Sequence, residues 1–267
     1  MASRALLVPA AAAAWALVLL LATPTALTAE GEPEREGEIL VAAASDLRFA
    51  FDEMAEAFEA EYGQSITFSF GSSGRLTQQI ENGAPFDLFF SANRDYIDGL
   101  AEGGFASGEP VVYASGYLAL VVPEGEPLPE LDELDDERFE AISIANPSHA
   151  PYGLAAKQAL ESLGVYADVE DRLVYGDNVL DAMRLVESAN ADVGLVALAF
   201  LDPGEGIEGR RVDDSLHDPI EQTALVLDRG GRGEDGEART GKAEAFLEFV
   251  RSEQGQEIMR SYRFGLP

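Results

Sequence analysis

Short apolar runs alternate with amphipathic segments along most of the chain. ILVAAA at 39–44 is an unbroken apolar run of strand length. The segment after it brings Leu47, Phe51, Met54, Phe58 and Tyr62 onto one face at helical spacing, and Gly63 ends it. ITFSF (66–70) predicts a second strand, and Leu76 with Ile80 opens a second helix that stops near Asn82 and Gly83. DLFFSA (87–92) predicts a third strand, apolar on both faces as a parallel strand covered by helices should be. VVYASGYLALVVPEG (111–125) is a longer β-type run with a glycine at its middle, suited to a strand that leaves one lobe for another.

The alternation then repeats. AISIA (141–145) leads through NPSHAPYG into GLAAKQALESLG, RLVYG (172–176) leads into DNVLDAMRLVESA, and DVGLVALAF (192–200) closes the set. PIEQTALVLD (219–228) is strand-like, DRGGRGEDGEARTG predicts an exposed mobile loop, and KAEAFLEFVRSEQGQEIM predicts one terminal amphipathic helix. The pattern predicts an α/β protein of two doubly wound lobes joined by two crossover strands. The first lobe is expected over 30–113 and 214–267, and the second over 114–213. In such sheets ligands sit beyond the carboxyl ends of the strands, where helix N-termini present free N–H groups.

The first residues belong to neither lobe. Arg4 precedes LLVPAAAAAWALVLLLA, and TPTALTA then leads into polar EGEPEREGE, the layout of a secretory signal peptide over 1–29. Pro9 interrupts the apolar run, which is short for a membrane span. Export to the periplasm is therefore expected. The chain has no cysteine, which excludes disulfides, thiolate metal sites and lipid attachment through cysteine. Its net charge of −31, from 49 acidic against 18 basic residues, argues against a nucleic-acid partner and fits a solvated acidic surface.

Four strand-to-helix turns carry neutral polar residues: Ser45-Asp46, Ser72-Ser73, Asn146 through Tyr152, and Asp177-Asn178. Each has a plain explanation as a helix N-cap, worth about 1 kcal/mol. Two turns lie in each lobe, however, and closing the lobes would aim all four at one cleft. Such a cleft suits an anion held by backbone N–H and hydroxyl donors, with helix dipoles favouring negative charge. Catalytic patterns are missing: GSSGR lacks the second glycine of a nucleophile elbow, no Walker loop occurs, and no HExxH or EF-hand spacing arranges carboxylates for a metal. His149 and His217 read as loop or surface residues.

Five blocks are more specific. AAASDLRFAFDEMAEAFE, FGSSGRLTQQIENGAPFDLFFSAN, ANPSHAPYGLAAKQAL, GDNVLDAMRLVESANADVGLVAL and the terminal YRFGLP resemble, in order, the periplasmic molybdate-binding proteins of ABC importers. The resemblance implies a type 2 periplasmic binding protein architecture, no enzymatic activity, no cofactor and no free metal cation. It implies a monomer that captures molybdate or tungstate and delivers it to an ABC permease. By position it assigns the ligand to Ser45, Ser73, Tyr152 and Val179, with Asp46, Ala92 and Asn178 as additional contributors. Many members carry a tyrosine where this chain has Ala197, so the Tyr152 hydroxyl is expected to replace it. Asp46 is expected to turn its backbone N–H to the ligand while its carboxylate caps the helix. Another oxyanion such as sulfate, a small carboxylate, or an exported hydrolase using Ser73 remain the competing readings.

Overall fold

The structure, a computed structural model, describes residues 39–201, 206–228 and 234–267, with side chains from 237 in the last segment. The expected signal peptide lies outside the described residues. Among those described, no helix is long and apolar enough to cross a membrane.

The first lobe is built on β1 (Ile39–Ala44), α1 (Arg48–Tyr62), β2 (Ile66–Gly71), α2 (Ser73–Glu81), β3 (Leu88–Ser91), α3 (Arg94–Glu102) and β4 (Val111–Gly116). Then β5 (Leu118–Pro123), β6 (Ile142–Ala145), α4 (Pro151–Leu163), α5 (Tyr166–Val169), β7 (Leu173–Gly176), α6 (Val179–Glu187), β8 (Val193–Ala197) and β9 (Ile207–Arg211) make the second lobe. The chain returns through β10 (Ile220–Val226), α7 (Glu234–Arg251) and α8 (Glu253–Ser261). One sheet has the order β2-β1-β3-β10-β4 and the other β7-β6-β8-β5-β9. The parallel strands are β2, β1 and β3 in one sheet and β7, β6 and β8 in the other. β10 runs antiparallel to β3 and β4, and β5 runs antiparallel to β8 and β9. The apolar runs alone do not distinguish these antiparallel neighbours, because a strand covered on both faces reads the same in either direction.

The core follows from the helical faces. Phe51, Met54 and Phe58 of α1 are buried, and Phe51 meets Phe90 edge-on at 4.8 Å and Phe246 at 6.0 Å. Gly63 ends α1 in the left-handed conformation (φ 66°), which a residue without Cβ adopts without strain. Tyr62 departs from the expected buried face: it is half exposed and stacks on Phe58 at 4.6 Å.

Four further expectations change. The run 111–125 is not one strand, since β4 ends at Gly116 and the chain passes to the second sheet at Tyr117, beyond the expected boundary after residue 113. The run 192–200 stops pairing at Ala197 and tightens into a 3-10 turn, Leu198–Phe200. Of the expected loop after Asp228, residues 234–241 already belong to α7, and 229–233 lie outside the described residues. The terminal helix is two: Ser252 breaks it and caps α8 by accepting from the Gly255 N–H. The chain end is tied back as a strand partner, with Ser115 and Gly265 exchanging backbone hydrogen bonds of 2.8 and 2.9 Å.

Candidate functional site

The parallel strands of both sheets end at one place. β1 runs into Ser45 and Asp46, β2 into Ser72 and Ser73, and β3 into Ala92; from the other lobe come β6, leading to Ala150 and Tyr152, and β7, leading to Val179. Together they line one small cavity. Ser45, Ser73, Tyr152, Val179, Asp46 and Ala92, predicted from sequence as site residues, all line it. Asn178 does not line it. Its side chain accepts from the N–H groups of Leu180 and Asp181, so it caps α6 and leaves the Val179 N–H outside the cap.

The turns are built differently from simple caps. Neither Ser72 nor Ala150 makes a side-chain cap hydrogen bond, and none caps α1. Pro151, the first residue of α4, has no N–H, so the Ser73 amide of α2 and the Tyr152 amide of α4 are the uncapped donors at the cavity wall. The Ser73 hydroxyl accepts from the Ala92 N–H at 3.0 Å, which leaves its own hydrogen to donate. The same bond engages the Ala92 N–H, which was expected to face a ligand directly. Ser45 Oγ lies 3.4 Å from the Leu180 N–H of the opposite lobe and likewise keeps its hydrogen.

Asp46 overturns the expectation of a helix cap. Its side chain is 1% exposed, and Oδ2 accepts from the Tyr152 hydroxyl at 3.1 Å and from Gln222 Nε2 at 2.5 Å. Oδ1 is buried without a hydrogen-bond partner. Tyr113 donates to Gln222 Oε1 at 3.2 Å, so the network crosses both lobes through uncharged partners. Burial pushes the Asp46 carboxyl up to about 6, against the opposing effect of the Tyr152 and Gln222 hydrogen bonds. Burial, then the nearby Asp46 charge, holds the Tyr113 and Tyr152 hydroxyls well above the ordinary range. In this structure the Tyr152 hydroxyl donates to Asp46. Gly116 makes this contact feasible, because a Cβ there would collide with the Tyr152 hydroxyl.

His149, read as a surface residue, joins the lobes. Its carbonyl accepts from the Gly74 N–H at 2.9 Å, and Nδ1 lies 2.8 Å from Ser72 Oγ. Arg75 donates to His149 Nε2 at 3.4 Å and to Asp177 at 2.9 Å, all at the exposed rim. Burial and then Arg75 lower the His149 pKa, partly opposed by Asp177. A serine hydrolase would need His149 to accept the Ser72 proton. Because a guanidinium can only donate, Nε2 is the acceptor and Nδ1 carries the hydrogen, so His149 donates to Ser72. The pair is an interlobe latch without a general base. Ser73, the serine of the hydrolase reading, contacts no histidine, and no cluster of metal-ligating side chains occurs among the described residues. Gln222, Tyr113, Gly116 and His149 were not identified from sequence as parts of the site; Gln222 sits between Glu221 and Thr223, which gave it no distinct local signal.

The model of the bacterial extracellular solute-binding protein family matches residues 39–265. The chain belongs to that family. Among relatives of this solute-binding protein, the molybdate-binding protein ModA of Rhodobacter capsulatus is 33% identical over 256 residues, covering 96% of this chain and 95% of the relative. ModA of Azotobacter vinelandii is 34% identical over 234 residues, covering 86% and 90%. The solved periplasmic molybdate-binding protein of Azotobacter vinelandii superposes with a TM-score of 0.78 at 30% identity, covering 86% of this chain and 99% of that one. Similarity to the sulfate-binding protein SubI of Mycobacterium tuberculosis, at 16% identity and a TM-score of 0.69, extends to the fold alone. The type 2 periplasmic binding protein architecture and the resemblance to molybdate-binding proteins both hold, and the relatives are solute-binding proteins, not enzymes.

Proposed function

We propose that this solute-binding protein captures molybdate, and tungstate as well, between its two lobes in the periplasm and delivers it as a monomer to an ABC permease. The observation that carries the reading is the convergence of Ser45, Ser73 and the helix starts at Tyr152 and Val179 on one small cavity between the lobes. A tetrahedral dianion leaving water must recover a large hydration energy through several directed hydrogen bonds. Neutral donors supply these, while the dipoles of α2, α4 and α6 favour the charge. All protein contacts are to the oxyanion oxygens, so no side chain acts as a metal ligand.

Size would then set selectivity. Tungstate nearly matches molybdate in size and should not be rejected. Sulfate is smaller and leaves some donors unpaired, at about 1–3 kcal/mol each. Calorimetry against molybdate, tungstate and sulfate tests the reading. Tight binding of the first two with weak sulfate binding is expected, and tight sulfate binding without molybdate binding would overturn it.

A further inference from the structure

Asp46 has no place in a cage made only of neutral donors. A carboxylate beside a dianion should be repelled by it, yet Asp46 is fully enclosed and is one of the residues that line the cavity. Its two oxygens differ. Oδ2 receives the Tyr152 and Gln222 hydrogen bonds, whereas Oδ1 is buried and receives no hydrogen bond from another residue, the carboxylate's remaining favourable neighbour being its own backbone N–H. A buried acceptor left unpaired is costly, and a dianion can supply only further acceptors. One proton reconciles the two. On Oδ1 it turns an orphaned acceptor into a donor, and Oδ2 keeps both of its hydrogen bonds.

We propose that Asp46 is a proton-coupled specificity residue: it takes up one proton as the lobes close and donates it from Oδ1 to an oxygen of the bound dianion. The step balances as ionised Asp46, one solvent proton and one dianion giving protonated Asp46 hydrogen-bonded to the dianion. This inference rests on the molybdate reading above. The groups facing Asp46 are Tyr152 from α4, Tyr113 from β4 and the uncharged Gln222 from β10; both tyrosines stay neutral across the relevant pH range. None of them supplies a positive charge to offset a carboxylate facing a dianion. Burial already holds the carboxyl near 6 in the protein alone, and two added negative charges at close range in a cavity shielded from water raise it much further. His149 titrates below its ordinary value and is neutral at pH 8, so it does not contribute there.

The test is calorimetry of the protein with molybdate at pH 7 to 8.5, in buffers of different ionisation enthalpy. Wild type should take up about one proton per molybdate at pH 8, and its Kd should rise about tenfold per pH unit. Asp46→Asn retains an acceptor for Tyr152 and Gln222 and adds a permanent donor, so it should show no uptake and a flat Kd. Zero uptake in wild type, with a pH-independent Kd, would overturn the proposal whether or not the variant folds. Equal uptake in Asp46→Asn would also overturn it, because the proton would then bind elsewhere. Molybdate binding with no uptake leaves the functional reading standing, whereas absence of any molybdate heat across the range defeats both.

Discussion

Replacing Asp46 by asparagine should stabilise the ligand-free protein, and by an amount that depends on pH. The carboxyl titrates at about 6 in the fold, against an ordinary 3.8, because burial removes water from the anion faster than Tyr152 and Gln222 can replace it. The folded state therefore binds this proton more tightly than the unfolded chain. Stability linked to the group is fully present below about 3.8 and is lost as pH rises through about 6. At 1.36 kcal/mol per pKa unit, the loss by pH 7 is on the order of 3 kcal/mol. Asparagine has a similar shape, accepts the same two hydrogen bonds and carries no charge, so it escapes this loss. Urea unfolding of both proteins without ligand, from pH 4.5 to 8, measures the difference. The self-repulsion of a chain with net charge −31 affects both proteins alike and cancels. The stability of wild type relative to Asp46→Asn should fall by roughly 2 kcal/mol between pH 4.5 and 8, the rest of the loss lying below pH 4.5, and level off above pH 7. A difference that stays constant with pH would refute the reasoning, since it would mean that Asp46 titrates alike in both states.

Three other outcomes are expected. Ser73→Ala removes the hydroxyl held by the Ala92 N–H and should weaken molybdate binding about 10- to 100-fold with little change in Tm; unchanged affinity would take Ser73 out of the site. Tyr152→Phe deletes one of the two donors to Asp46, so the pH window of the unfolding experiment should move upward. A window that stays in place would show that the hydrogen bond does little for the anion. Gly74→Ala places a Cβ 2.8 Å from the Tyr96 hydroxyl and 2.9 Å from the His149 carbonyl, which should wedge the rim of the lobes apart. Small-angle scattering with saturating molybdate should then report a larger radius of gyration than for wild type, and equal radii would mean that the rim adapts.

Much of the architecture was legible in the chain because apolar period is a local property. ILVAAA, DLFFSA and AISIA each appear as buried strands, and the helices after them carry their buried faces at the expected spacing. Errors arose where a local pattern has two solutions. The run 111–125 is equally apolar as one strand or two, and only pairing with β10 on one side and with β8 and β9 on the other divides it at Tyr117. The terminal segment keeps its helical period through Ser252, where a side chain that accepts from the Gly255 N–H starts a new helix instead.

The site divides along the same line. The pattern placed Ser45, Ser73 and Tyr152 in turns beyond strand ends, because strand-turn-helix connections are written in adjacent residues, and the resemblance to molybdate-binding proteins added Val179. It could not say what each polar group meets. Asp46 lies 106 positions from Tyr152 and 176 from Gln222, and Ser72 lies 77 from His149. In the linear sequence an aspartate after a strand is most simply a cap, and a histidine in a loop is most simply exposed. Only tertiary packing removes water from Asp46, bringing Gln222 to Oδ2 from the same lobe and Tyr152 from the other, and turns His149 into a latch. Burial and partnership are properties of packing between distant segments, and the charge state of a carboxyl depends on both.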